Sequence, residues 1–327
     1  MTEPHDRLAE PLREGALEGL HAAVAVRGGE TLLEYYGTGE DFAWGTSLGV
    51  VEFGPETLHD VRSISKSVTA LLYGIALGDG LVPEVTAPLL GQFPDYPDLA
   101  ADPARARLTV EHALTMSLGL QWREDLPYDD PDNAEIAMEL APDRYRYVLE
   151  RPVVEPPGLR WHYCGGAAAL LGRLIADGTG RSLTEYGRAA LFTPLEIHDI
   201  EWMRGPDGVA SAASGLRLTP RALARIGELV LAGGAWQGRQ LVPAGWIDEM
   251  LRPRLETTWG AGYGYQWYVE TVSGHRMVSG SGNGGQRLFV LPDLDLTVAV
   301  TAGNYNAPDQ WRTPVTLLER VVLPAVT

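Results

Sequence analysis

Ser63 and Lys66 stand in the tetrapeptide "SISK", and Lys66 is the only lysine of the chain: of its 26 basic residues the other 25 are arginines. On a helix, residues three apart share a face, so a hydroxyl and an amine at this spacing can meet. A serine becomes a nucleophile only beside a group that takes its proton. Arginine does not give up its own proton in proteins and cannot be that group. Lysine can, because its reference pKa of ~10.4 falls when it is buried or faces another cation. The reading therefore expects a neutral Lys66 acting as base for Ser63. With 11 serines in 327 residues, chance puts one three positions before a given lysine about 3 times in 100. That rarity, and the cost of an unpaired charge inside an apolar helix, favour chemistry over coincidence.

The helix carrying the pair is predicted from Ile64, Val68, Leu71, Leu72 and Ile75, with Gly78 and Gly80 ending it. Ser63 falls at its N-terminus, where unpaired N–H groups and the dipole favour a developing anion. Before it, "HAAVAVRGG" and "ETLLEYYG" read as a β-hairpin turning at Arg27-Gly28-Gly29, followed by an irregular stretch. The middle of the chain is helical: Thr109, Asn133 or Asp132, Asp143, Ser182 with Glu185, and Thr219-Pro220 all supply N-terminal caps. The last third returns to strands in "YGYQWYVE", "HRMVSGSG", "QRLFVLPD" and "LTVAVTAG", and "TPVTLLERVVLPAV" closes the chain as a helix. The simplest architecture is one mainly antiparallel sheet of five or more strands built from both termini (1–85 and 255–327). Helices flank it, and a mostly helical domain, 86–254, is inserted, with the site in the cleft between.

The composition narrows the function. With 45% apolar residues and 21% charged residues this is an ordinary globular chain. A formal net charge of −17 offers no basic face for nucleic acid. No apolar run approaches the ~18 residues that span a bilayer. The N-terminus has no apolar core of a secretory signal, and a single cysteine, Cys164, forms no internal disulfide, so a cytoplasmic location is expected. The seven histidines are scattered without metal-binding spacing, so no metal and no cofactor is expected; His59, His112 and His162 lie near the proposed site but read as structural. Two motifs are decoys. "GTSLG" at Gly45–Gly49 matches a nucleophile elbow, yet no helix follows it. "GSGNGG" at Gly280–Gly285 matches a dinucleotide fingerprint, yet a strand follows it.

"LHDVRSISKSVTALLYGIA" resembles the S-x-x-K box of the penicillin-recognising serine hydrolases: class C β-lactamases, D-alanyl-D-alanine carboxypeptidases, related esterases and 6-aminohexanoate-dimer hydrolase. "LTVEHALTMSLGLQW", "PPGLRWHYCGGAAALLGRLIADGTG", "ASGLRLTPRALARIGELVLAGGAWQGRQLVP" and "SGSGNGGQRLFVLPDLDLTVAVTAGN" resemble later segments of that family in the same order. The resemblance implies a β-lactamase/transpeptidase-like fold. It also implies that Tyr163, from the family's Tyr-x-Asn box, passes a proton to the leaving group. In that box Gly165 stands where the family has asparagine. The third box aligns with Asn283-Gly284-Gly285, so Asn283 replaces the family's cation, the two glycines bind substrate, and Gln286 joins Ser63 in donating backbone N–H groups to an oxyanion. Gly165 is likewise counted among the substrate contacts.

The reaction so implied is acyl transfer through an acyl-enzyme on Ser63. The two altered boxes and the N-terminus favour a carboxylesterase or small-amide hydrolase. The alternatives are a true β-lactamase or D-alanyl-D-alanine peptidase, an acyltransferase, and a catalytically silent binding protein. The partner is a small ester, amide or lactam, and the oligomeric state is open.

Overall fold

The computed structural model describes residues 4–327. Its centre is one antiparallel sheet of eight strands. In chain order these are β1 (Leu20–Arg27), β2 (Glu30–Tyr36), β3 (Leu255–Glu256), β4 (Gly262–Tyr263), β5 (Tyr268–Val272), β6 (His275–Gly282), β7 (Gln286–Leu291) and β8 (Leu296–Ala302). Across the sheet the order is β3-β4-β5-β6-β7-β8-β1-β2, so the hairpin from the N-terminus pairs with the last strand and both termini build one sheet, as expected. Val- and Leu-rich β8 is buried at every position, which fits a central strand covered on both faces.

One face is covered by the terminal helices. Leu317, Leu318, Val321 and Val322 pack with Leu8 against Phe289, Val298 and Val300. Of three long helices, α1 (Ile64–Gly78), α2 (Gly165–Thr179) and α3 (Pro220–Leu231), the first and third meet the other face, and α2 packs on α1. Thirteen of the 15 residues of α1 are buried, so it is the central helix and is apolar nearly all round. α3 is amphipathic and lays Leu223, Ile226 and Leu229 on β1, β7 and β8. The stretch 86–254 thus does not pack as one helical body: α3 belongs to the sheet layer, because its apolar stripe needs a sheet to cover it. The predicted caps form at Asn133, Asp143 and Thr219, and Ser182 with Glu185 makes the capping box.

The stretch read as irregular is a second hairpin, Thr38–Ala43 with Thr46–Glu52. "GTSLG" is its turn and exposed return strand, with no helix behind it. This hairpin is anchored to the segment that leads into Ser63. His59–Asp60 pairs with Leu216–Leu218, and His59 Nε2 lies 2.9 Å from His21 Nδ1 on β1 and 3.4 Å from Asp41 Oδ1 in the hairpin. Tyr305 donates to the same Asp41 oxygen at 2.6 Å.

His21 is 2% exposed, and burial, with His59 beside it, pushes its pKa down to about 4 against the pull of Asp41. A histidine whose folded pKa is depressed contributes stability above its unfolded pKa of ~6.5, and that contribution is lost as pH falls toward the folded value. Acidification from pH 6.5 to 4 is expected to cost on the order of 3 kcal/mol at this residue. In urea unfolding series over that range, His21→Asn should flatten the slope; an unchanged slope would assign the acid sensitivity elsewhere.

Candidate active site

The turn before Ser63 is held from behind. Arg62 adopts a left-handed φ of +51°, which costs a non-glycine residue about 1–2 kcal/mol. Asp60 stabilises it: Asp60 Oδ1 accepts from the Arg62 N–H at 2.8 Å, and Oδ2 lies 3.3 Å from Arg62 Nε. The Arg62 guanidinium stacks over the Tyr305 ring at 4.6 Å. The result places Ser63 as the N-cap of α1, with no side-chain capping bond of its own. The neighbouring serines are committed to structure: Ser65 donates to the Arg62 carbonyl at 2.6 Å, and Ser67 to the Gln266 carbonyl at 2.8 Å. Ser63 alone of the three turns its hydroxyl to Lys66.

Lys66 is 2% exposed, and an ammonium has three N–H bonds to place. Three acceptors surround it: Ser63 Oγ at 3.0 Å, Glu135 Oε2 at 3.0 Å and the Ala213 carbonyl at 2.8 Å. Glu124 Oε1 lies 3.9 Å away, and the Tyr163 ring centroid 4.9 Å. The expected neutral lysine is therefore corrected. Burial alone would lower its pKa, but its charged surroundings, the Glu135 carboxylate first, overcome burial and hold it above the ordinary lysine range. Lys66 is an ammonium here because its nearest charged neighbour is a carboxylate and not another cation.

The two glutamates form a buried pair. For Glu135, burial pushes the pKa up, but the Lys66 charge and hydrogen bonds from Glu124, Lys66 and Ser214 hold it below the usual carboxylate range. Glu124 is pushed the other way, by burial and then by Glu135. One carboxylate and one carboxylic acid thus share the space beside one ammonium, the arrangement that spares a buried like-charge repulsion. Glu124 Oε2 accepts from Trp122 Nε1 at 2.7 Å and the Gly165 N–H at 2.6 Å, and Oε1 from the Tyr128 hydroxyl at 2.9 Å. Glu135 is placed by Asn133, whose Oδ1 caps the short helix Ala134–Glu139 by accepting from the Glu135 N–H. Sequence reasoning missed both glutamates. They sit in an acid-rich stretch, and the available signal was indirect: a glycine at 165 leaves the lysine without a side-chain partner from the second box.

Tyr163, half-buried, lies beside Lys66 in the wall of the cavity that Ser63 opens into. Burial raises its pKa, while the Lys66 charge and a hydrogen bond with Ser63 draw it down. Gly165 does not line the cleft. Its N–H is taken by Glu124, and a Cβ added there would lie 2.2 Å from Glu135 Oε2. Cys164 is buried, and burial raises its thiol pKa far above the ordinary range.

Ser63 opens into a cavity of about 730 Å³, walled by Tyr128, Trp161, Tyr163, Trp259, Tyr268 and Trp311 among others. Of the predicted third-box residues only Asn283 is in its wall; Gly284, Gly285 and Gln286 are not. Gly284 and Gly285, with φ of +92° and +93°, make the β6–β7 turn. The Gln286 side chain is fully buried, bonded to Ala302 N–H and carbonyl at 2.9 and 2.7 Å. The strand end that faces the nucleophile comes earlier, at Ser281 and Gly282. A Cβ on Gly282 would stand 2.5 Å from the Val61 carbonyl, so only glycine lets β6 press against the turn into Ser63. Arg287 also lines the cavity; it donates to the Gln286 carbonyl at 2.9 Å and has no ion pair within 4.0 Å among the described residues.

The histidines are structural. His112 accepts the Thr109 N–H at 3.1 Å in a capping box, and His162 bonds the Trp122 carbonyl at 2.7 Å. His21, Asp41 and His59 are the one cluster among the described residues whose ligand atoms lie within 4.8 Å of one another. Two of its nitrogens are at hydrogen-bond distance, and Tyr305 and the Asp60 carbonyl take up further sites, so it is built as a closed network.

A Ser–Lys pair at a helix start, a facing tyrosine, and a glycine-ended strand on the far side match one family, and the family model described as Beta-lactamase spans residues 5–316. The chain belongs to the β-lactamase family. Its relatives include 6-aminohexanoate-dimer hydrolase of Paenarthrobacter ureafaciens, 25% identical over 310 residues, covering 88% of this chain and 73% of the relative. Among solved structures, a class C β-lactamase from Rhodobacter sphaeroides superposes with a TM-score of 0.71 at 16% identity, covering 97% of this chain and 98% of the other. A family VIII carboxylesterase gives a TM-score of 0.70 at 15% identity, with 96% of each chain covered. This β-lactamase-family chain is accordingly a serine hydrolase by fold and family, with a second box altered at Gly165. No helix among the described residues is long and apolar enough to cross a membrane.

Burial makes one consequence for Cys164 testable. It should resist a disulfide thiol reagent in the native protein and react fully once urea unfolds the chain; rapid native labelling would contradict its placement.

Proposed function

We propose that the protein hydrolyses esters and small amides through an acyl-enzyme on Ser63. The observation that carries the reading is the Ser63 Oγ–Lys66 Nζ contact of 3.0 Å, opening on a cavity with Tyr163 in its wall. Ser63 Oγ attacks the carbonyl carbon as its proton passes toward Lys66. The oxyanion is held by the Ser63 N–H at the start of α1 and by a backbone N–H at the end of β6, in Ser281–Asn283. This strand end is preferred to Gln286 because it shares the cavity wall with Ser63. Donors of this kind are worth about 10²–10³ in rate each. Tyr163 protonates the leaving oxygen or nitrogen, and water then attacks the acyl carbon by the same route to release the acid.

The similar proteins include a 6-aminohexanoate-dimer hydrolase and a family VIII carboxylesterase beside a class C β-lactamase, which supports an acyl-enzyme hydrolase with ester and amide substrates within its range. The cavity adds a preference. Seven aromatic side chains line it with Glu270 and Glu319, and Arg287 is a cation in it without a carboxylate partner at ion-pair distance. An acyl or leaving group bearing an anion would give that guanidinium its counter-charge.

Two experiments test this reading. A fluorophosphonate probe should label Ser63, located by mass spectrometry, and Ser63→Ala should abolish both labelling and p-nitrophenyl ester turnover with an unchanged melting temperature; Ser63→Ala at wild-type rate would sink the assignment. Arg287→Leu should raise KM about tenfold for an ester carrying a carboxylate, the ~1.4 kcal/mol of one charge-assisted contact, and leave a neutral ester unchanged. Equal effects on both esters would remove Arg287 from recognition.

A further inference from the structure

We propose that Glu135 occupies the place of the family's second-box asparagine and works with Lys66 as one proton-relaying base. This deepens the proposed reaction and rests on Ser63 being its nucleophile. The argument starts from space. A Cβ at position 165 would lie 2.2 Å from Glu135 Oε2 and 2.9 Å from its Cδ, so a side chain at 165 and the Glu135 carboxylate exclude each other. Gly165 is therefore not a loss from the box. It is the vacancy through which a carboxylate from another segment, 69 residues from the lysine, reaches Nζ at 3.0 Å.

The second step is proton accounting. With Ser63, Glu135 and Ala213 accepting all three N–H bonds, the Lys66 ammonium has no lone pair to offer Ser63. It becomes a base only by giving a proton away first, and Glu135 is the acceptor in contact. In the acylation step Ser63 O–H breaks and its proton goes to Lys66 Nζ. A different Lys66 N–H breaks, and that proton goes to Glu135 Oε2. The Ser63 Oγ–carbon bond forms, and the carbonyl electron pair moves to the oxyanion. The Lys66–Glu135 pair, net neutral at the start, ends with one positive charge, which balances the single negative charge that appears in the oxyanion hole. When the tetrahedral centre collapses, the leaving group takes a proton from Tyr163, which regains one from the same pair.

The other groups facing Glu135 fit this role. Glu124 is in hydrogen-bond contact and is held protonated by burial and by Glu135 itself, so it does not compete for the Lys66 proton. Ser214 donates to Glu135, while Tyr163 and Tyr128 lie behind the two carboxyls. Glu135 acts through Lys66 and is a positioning and relay residue, not a group that touches substrate.

The test is the pH dependence of kcat/KM for a p-nitrophenyl ester. In the wild type the acid limb follows protonation of Glu135, whose pKa the Lys66 charge holds below the ordinary carboxylate range, so activity persists through mildly acidic solution. In Glu135→Gln no carboxylate accepts the proton, and turnover waits on the neutral fraction of Lys66. The acid limb should then move up by at least about two pH units, with kcat near pH 6 down about 10²-fold. A purely structural glutamate would lower the melting temperature and the rate without moving the limb, and that result overturns the relay. Gly165→Asn alone should expel the carboxylate and reproduce the displaced limb. Gly165→Asn with Glu135→Ala should regain at least about tenfold over either single variant, because the amide then has room beside Lys66. No recovery in the double variant would reject the shared place. If fluorophosphonate fails to label Ser63 in the wild type, the hydrolase reading has failed instead; labelled wild type with an unmoved limb in Glu135→Gln condemns only the relay.

Discussion

A buried ammonium with every N–H committed organises this molecule. Lys66 sits on the central helix and draws in a hydroxyl from the helix start, a carboxylate from an excursion of the middle chain, and a carbonyl from the segment that pairs behind Asp60. A charge so far from water is tolerable only when it is paired and fully hydrogen-bonded. Removing any one acceptor leaves the others to carry an uncompensated ion. The same contacts therefore hold the two layers together and set the chemistry between them.

The backbone around that ion is fixed by smaller devices that point the same way. Thr69, one turn beyond Lys66, donates to the Ala212 carbonyl, and the Val61 N–H donates to Leu216, so the 211–218 segment is laced to α1 along its length. The left-handed Arg62 is paired to Asp60, and Asp60 also accepts the Trp44 N–H from the outer hairpin at 2.9 Å. Strain at the residue before Ser63 is thus balanced by a buried carboxylate, and the hairpin at the surface is wired to the turn that carries Ser63.

What the sequence made legible follows the range of each interaction. Ser63 and Lys66 are three residues apart on one helix, so periodicity alone brings them together, and helix caps such as Asn133 and Thr219 are equally local. Tyr163 required the resemblance, since nothing in "WHY" tells a catalytic phenol from a packed one. The glutamates at 124 and 135 were hidden because six acids crowd that stretch, and only the fold says which two are buried. The protonation state of Lys66 followed from the same blind spot: without Glu135 in view, burial argues for a neutral amine. The third box slipped because "GSGNGGQ" offers glycine in two registers, and the choice is made by where β6 ends against Val61. The outer hairpin was unreadable for a different reason. Its return strand is exposed at nearly every position, so it has no buried face to write an alternating pattern.

Gly165 and Glu135 also constrain how such a site can change over time. An asparagine arriving at 165 meets the carboxylate, and a small residue arriving at 135 strands the lysine, so on the proposed arrangement a change at either position calls for a change at the other. A search that scores the second box by its own three letters would count this chain as decayed, when the missing functional group has moved to a different stretch of the gene.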